Sequence, residues 1–208
     1  MRRIAVGDFN GRLQVLDLER PEIAVYNVEA HSTIVNTIDA IQGNAPGVDI
    51  TPGDHPDEST DKIQTKRDCW AVAFGDSYNN EERVVAAGYD NGDLKLFDLR
   101  QLSVRWETKL KNGVCSIEFD RRDIPMNKML VTTLEGGLLV YDMRSQHPTQ
   151  GFAYLEERSA GRSVGSNGLI SGPKATVWCD RHLPQNRDVF VTGGGLCACG
   201  VMNIMRNV

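Results

Sequence analysis

Three stretches of this sequence repeat one pattern: an apolar run, a turn holding Gly, then an alternating run that closes on a large apolar residue and Asp. They extend from Ile4 to Leu18, from Val85 to Leu99 and from Met129 to Met143, and they align without gaps. Each reads as a β-hairpin. Asn10-Gly11 and Asn91-Gly92 are dipeptides that tolerate positive φ at both central positions of a type I′ turn, whose twist matches paired strands. In the second copy Leu94, Leu96 and Asp98 share one face and Lys95 and Phe97 the other, as a pleated strand requires. Asp17, Asp98 and Asp142 are expected to accept backbone hydrogen bonds in the turns that follow them, a structural use of a short carboxylate. Asn10, Gly11, Asp17, Asn91, Gly92, Asp98, Gly136 and Asp142 together form the repeat signature.

A second set of segments precedes the later hairpins: Asp68 to Phe74, Gly113 to Phe119, and the beginning of a third copy at Val177-Trp178-Cys179. Val104 to Thr108 fills the interval between a hairpin and the next copy, so each unit holds four strands. Gly92 and Gly136 stand 44 residues apart and Phe74 and Phe119 stand 45 apart. Both spacings fall within the ~40–45 residues of one four-stranded propeller blade. The expected fold is therefore all-β, a WD-repeat β-propeller, with His31 where such repeats keep a blade-pinning His.

The period then breaks in three places. Gly11 and Gly92 are 81 residues apart, close to two periods, yet Gly43 to Asp61 holds three prolines and few apolar residues where a hairpin is due. The opening strand before it, Ile34 to Ile41, looks intact. Cys115 and Trp178 are 63 residues apart, and the excess lies in the Gly- and Ser-rich Ser159 to Pro173. After Val189 to Thr192 begins a strand, Gly193 to Gly200 lacks the expected alternation. The chain is expected to be a single partial propeller over residues 1–208, with loop-like insertions at 44–65 and 159–173 and an irregular tail at 196–208.

Composition narrows the function. With 23 Lys and Arg against 28 Asp and Glu, a formal net charge of -5, and cations scattered singly, nucleic acid and anionic membranes are not expected partners. No run approaches the ~20 apolar residues of a membrane helix, and no signal-peptide core follows Arg2 and Arg3. The five cysteines form no pair of CxxC knuckles. Cys69, Cys115 and Cys179 sit in strand-like runs as small hydrophobes, Cys197 and Cys199 would leave a metal site half filled, and a reducing compartment fits that usage. Gly161-Arg162-Ser163-Val164-Gly165 matches a nucleophile elbow, with Asp180 and His182 following in triad order, but it lacks the strand before and helix after that such an elbow needs. Asp54 to Glu58 reads as a solvated acidic loop. Gly136-Gly137 and Gly193 to Gly195 serve turns, since no Lys-Ser or Lys-Thr follows as in a phosphate loop. No catalytic residue, metal or cofactor is expected.

Several longer strings are more specific than the repeat itself. Asp68-Cys69-Trp70, Val72 to Gly75, Gly88 to Arg100, Arg105 to Thr108, Asn112 to Cys115, Gln146 to Thr149 and Arg181 to Arg187 resemble a WD-repeat family of cytoplasmic assembly factors for axonemal dynein. The resemblance covers about residues 1–43, 66–158 and 174–193. It implies a seven-bladed propeller, of which about three to four blades are recognisable here. It also implies protein partners: a co-chaperone complex of RuvB-like ATPases with prefoldin-like subunits and the ninety-kilodalton heat-shock chaperone, and dynein heavy chains. An apoptosis-related role is implied as well. Departures from the family at 44–65, 159–173 and 196–208 fall where the period fails, and imply a partial or aberrant chain, at the limit a non-functional gene-model fragment.

Trp70, Arg100, Trp106 and Arg144 are the candidate interaction residues. Phe97-Asp98-Leu99-Arg100 and Tyr141-Asp142-Met143-Arg144 also resemble the WD-x-Arg box of substrate receptors for cullin-RING ubiquitin ligases, with another aromatic in place of Trp. A methyl-lysine reader would need an aromatic cage that the sequence does not locate.

Overall fold

Alternating apolar residues separated by Gly-bearing turns produce antiparallel hairpins throughout a computed structural model that describes residues 2–40, 67–76, 83–121, 124–158, 175–195 and 199–203. Four sheets follow one another along the chain, each in sequential order. The first comprises β1 (Arg3–Gly7), β2 (Arg12–Asp17) and β3 (Arg20–Glu29). The second comprises β4 (Cys69–Gly75), β5 (Val84–Tyr89), β6 (Asp93–Asp98) and β7 (Ser103–Lys109). In the third are β8 (Val114–Phe119), β9 (Lys128–Thr133), β10 (Gly137–His147) and β11 (Gly151–Arg158); in the fourth, β12 (Val177–Leu183), β13 (Asn186–Gly194) and β14 (Cys199–Asn203). The opening strands β4, β8 and β12 pack side by side. Residues 37–39, β4, β8 and Arg181 line one cavity between them. Sheets radiating in chain order from a shared axis of opening strands are the blades of a β-propeller.

The packing explains which strand faces are apolar. Leu94 and Leu96 of β6, Val114 of β8, and Met129 and Val131 of β9 are wholly buried in one core spanning the second and third sheets. Each such side chain contributes roughly 1.5–3 kcal/mol by leaving water. Close approach between blades depends on small residues: a Cβ on Gly88 would stand 2.4 Å from Val114 Cγ1.

The same relation recurs earlier in the chain, where a Cβ on Gly7 would stand 2.6 Å from Val35 Cγ1. Residues 31–40 thus lie against the first sheet as β8 lies against the second. On their other side, Asn36 Nδ2 donates to Cys69 O at 3.3 Å and Phe74 N donates to Asp39 Oδ2 at 2.8 Å, both in β4. This is the place of an opening strand, but the intact strand expected over Ile34 to Ile41 is not formed: residues 34–40 carry no regular strand, and Ile41 lies outside the described residues. Strand geometry needs a ladder partner, and here the anchors are side chains and Val35 N donating to Asp8 O at 3.0 Å.

The hairpin turns also differ from expectation. Gly11, Gly92 and Gly136 have φ of 83°, 88° and 74°, whereas Asn10 and Asn91 are not among the positive-φ residues. Gly11 N donates to Asp8 O, Gly92 N to Tyr89 O and Gly136 N to Thr133 O. These are type I turns closed by a left-handed Gly, the three-residue hairpin with a G1 bulge, instead of type I′. Side chains select them: Asp8 Oδ1 accepts from Asn10 N and Arg12 N, and Asn91 Oδ1 accepts from Asp93 N.

Within 196–208, expected to be irregular, β14 pairs with β13 from Gly193–Cys199 to Val189–Asn203. The glycines at 193–195 hid the hairpin by diluting its alternation. The insertions 44–65 and 159–173, Ser163 and the elbow around it, the acidic run at 54–58 and Cys197 lie outside the described residues. Cys179, expected within an apolar run, is exposed, and Cys69 and Cys115 are half-buried. His31 is exposed and holds its blade through the main chain, its N–H donating to Gly11 O at 3.0 Å.

Candidate protein-interaction surface

Each of the first three sheets carries a carboxylate on the second strand of its hairpin, and that carboxylate binds the backbone just beyond it. Asp17 Oδ1 accepts from Glu19 N at 3.0 Å; Asp98 Oδ1 accepts from Arg100 N at 2.8 Å and Gln101 N at 3.1 Å; Asp142 Oδ1 accepts from Arg144 N at 3.0 Å. The backbone N–H groups hold the Asp98 carboxyl below its ordinary range, and at Asp142 the Arg144 guanidinium does the same. Asp142→Ala should cost about 0.5–1.5 kcal/mol, the usual range for losing a capping carboxylate, read as a lowered midpoint in urea unfolding.

These capped turns present apolar side chains to solvent. Leu18 follows Asp17 and is 53% exposed; Leu99 and Leu102 follow Asp98, and Leu102 is 85% exposed with a φ of 50°. A leucine in the left-handed region is strained by roughly 1–2 kcal/mol, and this one gains little burial in return. Arg100 at this turn is legible in the sequence and its leucines are not, because the pattern there is too short to show a face.

The four candidate interaction residues occupy three different environments. Arg100 is exposed at the capped turn. Arg144 is exposed on β10 but folds onto its own turn, Nε donating to Asp142 Oδ1 at 2.9 Å and Nη2 to Oδ2 at 2.5 Å. Trp70 is half-buried on β4 and lines the axial cavity with Asp39, Glu118 and Arg181. Trp106 of β7 sits in the seam between the second and third sheets, edge-on to Tyr141 at 5.5 Å and to Phe152 at 5.1 Å between ring centroids. Its packing against the core follows from its place on an outer strand whose neighbour blade offers two aromatics.

A group of ionisable residues at the next seam has no counterpart in the repeat pattern. Glu118 of β8 reaches β12, its Oε2 accepting from His182 N at 2.8 Å and lying 3.2 Å from His182 Nδ1, with Arg181 3.7 Å from Oε1. Asp180 beside them is wholly buried, both its carboxylate oxygens without a hydrogen-bond partner. Burial pushes its carboxyl up to about 6, opposed by Ser116 and reinforced by the Glu118 charge. Asp180 and His182 thus stand on one strand, β12, beside Glu118 of β8 across a blade seam. Their signal in the sequence is an acidic residue in an otherwise strand-like Val177 to Leu183. Among the described residues no group of three His, Cys, Asp or Glu side chains is placed to hold a metal ion. No helix there is long and apolar enough to cross a membrane.

The chain is similar to dynein axonemal assembly factor 10 from several organisms. It is 51% identical to the Bos taurus protein, 50% to the Homo sapiens protein and 44% to that of Chlamydomonas reinhardtii, each over 213 aligned residues. Each alignment covers 93% of this chain and 56% of the relative, so the chain spans about half the length of the curated relatives it matches. No family model matches. Among solved structures, the Cps50 (Swd1) β-propeller domain of Myceliophteria thermophila aligns with a TM-score of 0.49 at 11% identity, covering 98% of this chain and 49% of that one. A chain of a mitotic checkpoint complex crystal structure aligns at 0.47 and 14%, covering 99% and 45%.

Proposed function

Across the part it spans, this chain belongs to the family of dynein axonemal assembly factor 10, and from that premise we propose that it is a non-catalytic propeller scaffold working in the cytoplasm. Its partners are proteins of dynein assembly: RuvB-like ATPases with prefoldin-like subunits on one side and dynein heavy chains on the other. The observation that carries this reading is the row of Asp-capped turns, which hold Leu18, Leu99, Arg100 and Leu102 exposed on a rigid sheet frame. Loops fixed by a scaffold are where binding concentrates, and a strained, exposed leucine costs stability that a bound partner would offset. In this reading residues 1–208 are a single partial propeller.

Affinity purification of the tagged chain from ciliated cells, with mass spectrometry and a thermal melt of the same protein, tests it. The expected result is a cooperative melt with recovery of RuvB-like ATPases, lost at least about tenfold in Leu102→Glu, a charge placed in an apolar contact costing more than ~1.4 kcal/mol. Recovery of general chaperones alone, or a Leu102→Glu variant that keeps every partner, would sink the scaffold reading. Arg100 and Arg144 support a ligase-adaptor reading less well, since Arg144 is already engaged by Asp142.

A further inference from the structure

The two seams that the third sheet makes are built from different chemistry. Toward the second sheet it shares a continuous apolar core running from Ala71 to Phe152, with Trp106 packed at its edge. Toward the fourth sheet the apolar cluster among the described residues holds Leu130, Leu138 and Phe190, with Val140 alongside, and Ala175 and Val177 are buried nearby in the chain. Charged and polar groups make up the remainder: Glu118 with His182 and Arg181, and Lys128 Nζ with Asp188 Oδ1 at 2.5 Å from β9 to β13. Thr176 adds a hydroxyl bond to Leu134 O at 2.5 Å.

We propose that this second seam is an electrostatic latch, so that β12–β14 undock from β8–β11 as a unit while the second and third sheets stay closed.

Undocking costs less here than opening the other seam, because the apolar cluster it separates is smaller among the described residues, and apolar area sets most of the cost of separating packed sheets. Control by charge follows from what faces Asp180. From β8 come Ser116 and Glu118; from its own strand Arg181 and His182; from β13 Thr192, its ladder partner, while the Lys128–Asp188 pair of β9 and β13 lies in the same seam. Neither carboxylate oxygen finds a well-formed hydrogen bond; Ser116, Arg181 and His182 favour the charged form less than burial opposes it, and the Glu118 charge repels it.

The sign follows from comparing the docked and open forms. Docked, Asp180 titrates at about 6; opened to water it returns to roughly 3.9. Docking therefore takes up a proton between those values, and weakens as pH rises through that window to a constant, weaker level above it. Between pH 5 and pH 7 the docking equilibrium should fall by about tenfold.

Hydrogen exchange read by mass spectrometry on the 208-residue chain tests this, with rates corrected for the intrinsic pH dependence of amide exchange. The expected result is lower protection in β12 and β13 than in β5 and β9, falling about tenfold from pH 5 to pH 7 in the fourth sheet alone. Asp180→Asn, nearly the same shape without the charge, should raise that protection at pH 7 and remove the slope. Glu118→Gln should lower it at both pH values by weakening the hold on β12. Protection equal in β9 and β12 at every pH would overturn the proposal, as would an Asp180→Asn chain that keeps the wild-type slope.

Discussion

Trp106→Ala should lower the stability of this chain by about 3 kcal/mol, the lower end of what removing a core aromatic costs, because the ring is only partly buried. Three contacts go together. The ring edge meets Tyr141 and Phe152 in T-shaped geometry, each such pair contributing roughly 0.5–1.5 kcal/mol beyond its area. Its Nε1 also lies over Gly151, where a Cβ would stand 2.3 Å away; the φ of 74° there lets the β10–β11 turn fold onto the indole. Losing the ring opens a cavity at the seam of the second and third sheets, the one with the larger apolar core. Urea unfolding followed by far-ultraviolet circular dichroism measures the effect, with Trp106→Phe as the partner variant that keeps a ring in the seam. Trp106→Phe should recover more than half of the loss. A Trp106→Ala chain within about 1 kcal/mol of wild type would mean that the seam does not depend on this residue, and would return Trp106 to the candidate binding residues.

What sequence made legible was whatever repeats. The hairpins at Ile4 to Leu18, Val85 to Leu99 and Met129 to Met143 appear as β1–β2, β5–β6 and β9–β10, because alternation and a turn Gly are local properties that each copy must satisfy on its own. The capping role of Asp17, Asp98 and Asp142 was readable for the same reason. Turn type was not readable from Asn-Gly alone: Asp8 and Asn91 bind backbone N–H groups inside their turns and pull the preceding residues into right-handed geometry, leaving positive φ to Gly only. The strand expected over 34–40 failed because strand formation is decided by a neighbour, and the described chain gives that segment side-chain anchors on β4 in place of a full ladder. The Glu118, Asp180 and His182 cluster joins residues 64 positions apart. No periodicity links them, since nothing in one blade announces which side chain of the next will face it.

Gly92→Ala carries the second large effect and tests whether the turn, not the strands, sets the register between hairpin and outer strand. At a φ of 88° an L-residue is strained by roughly 1–2 kcal/mol, and the added Cβ would stand 2.5 Å from Leu110 O and 2.9 Å from Asn112 O. Those are backbone atoms, so no side-chain rotation relieves the overlap. Gly92 O also accepts from Leu110 N at 2.8 Å, and moving the turn lengthens that bond, worth about 1 kcal/mol. Together the loss should reach about 2–4 kcal/mol and should appear first at the end of β7, where Lys109 pairs with Asp93. Calorimetry gives the total, and amide exchange in β7 gives its location. A loss below about 1 kcal/mol would show that the Leu110–Asn112 loop yields at little cost. Gly92 would then be a residue of convenience, and the spacing of 44 residues to Gly136 would have to be set by the strands that flank it.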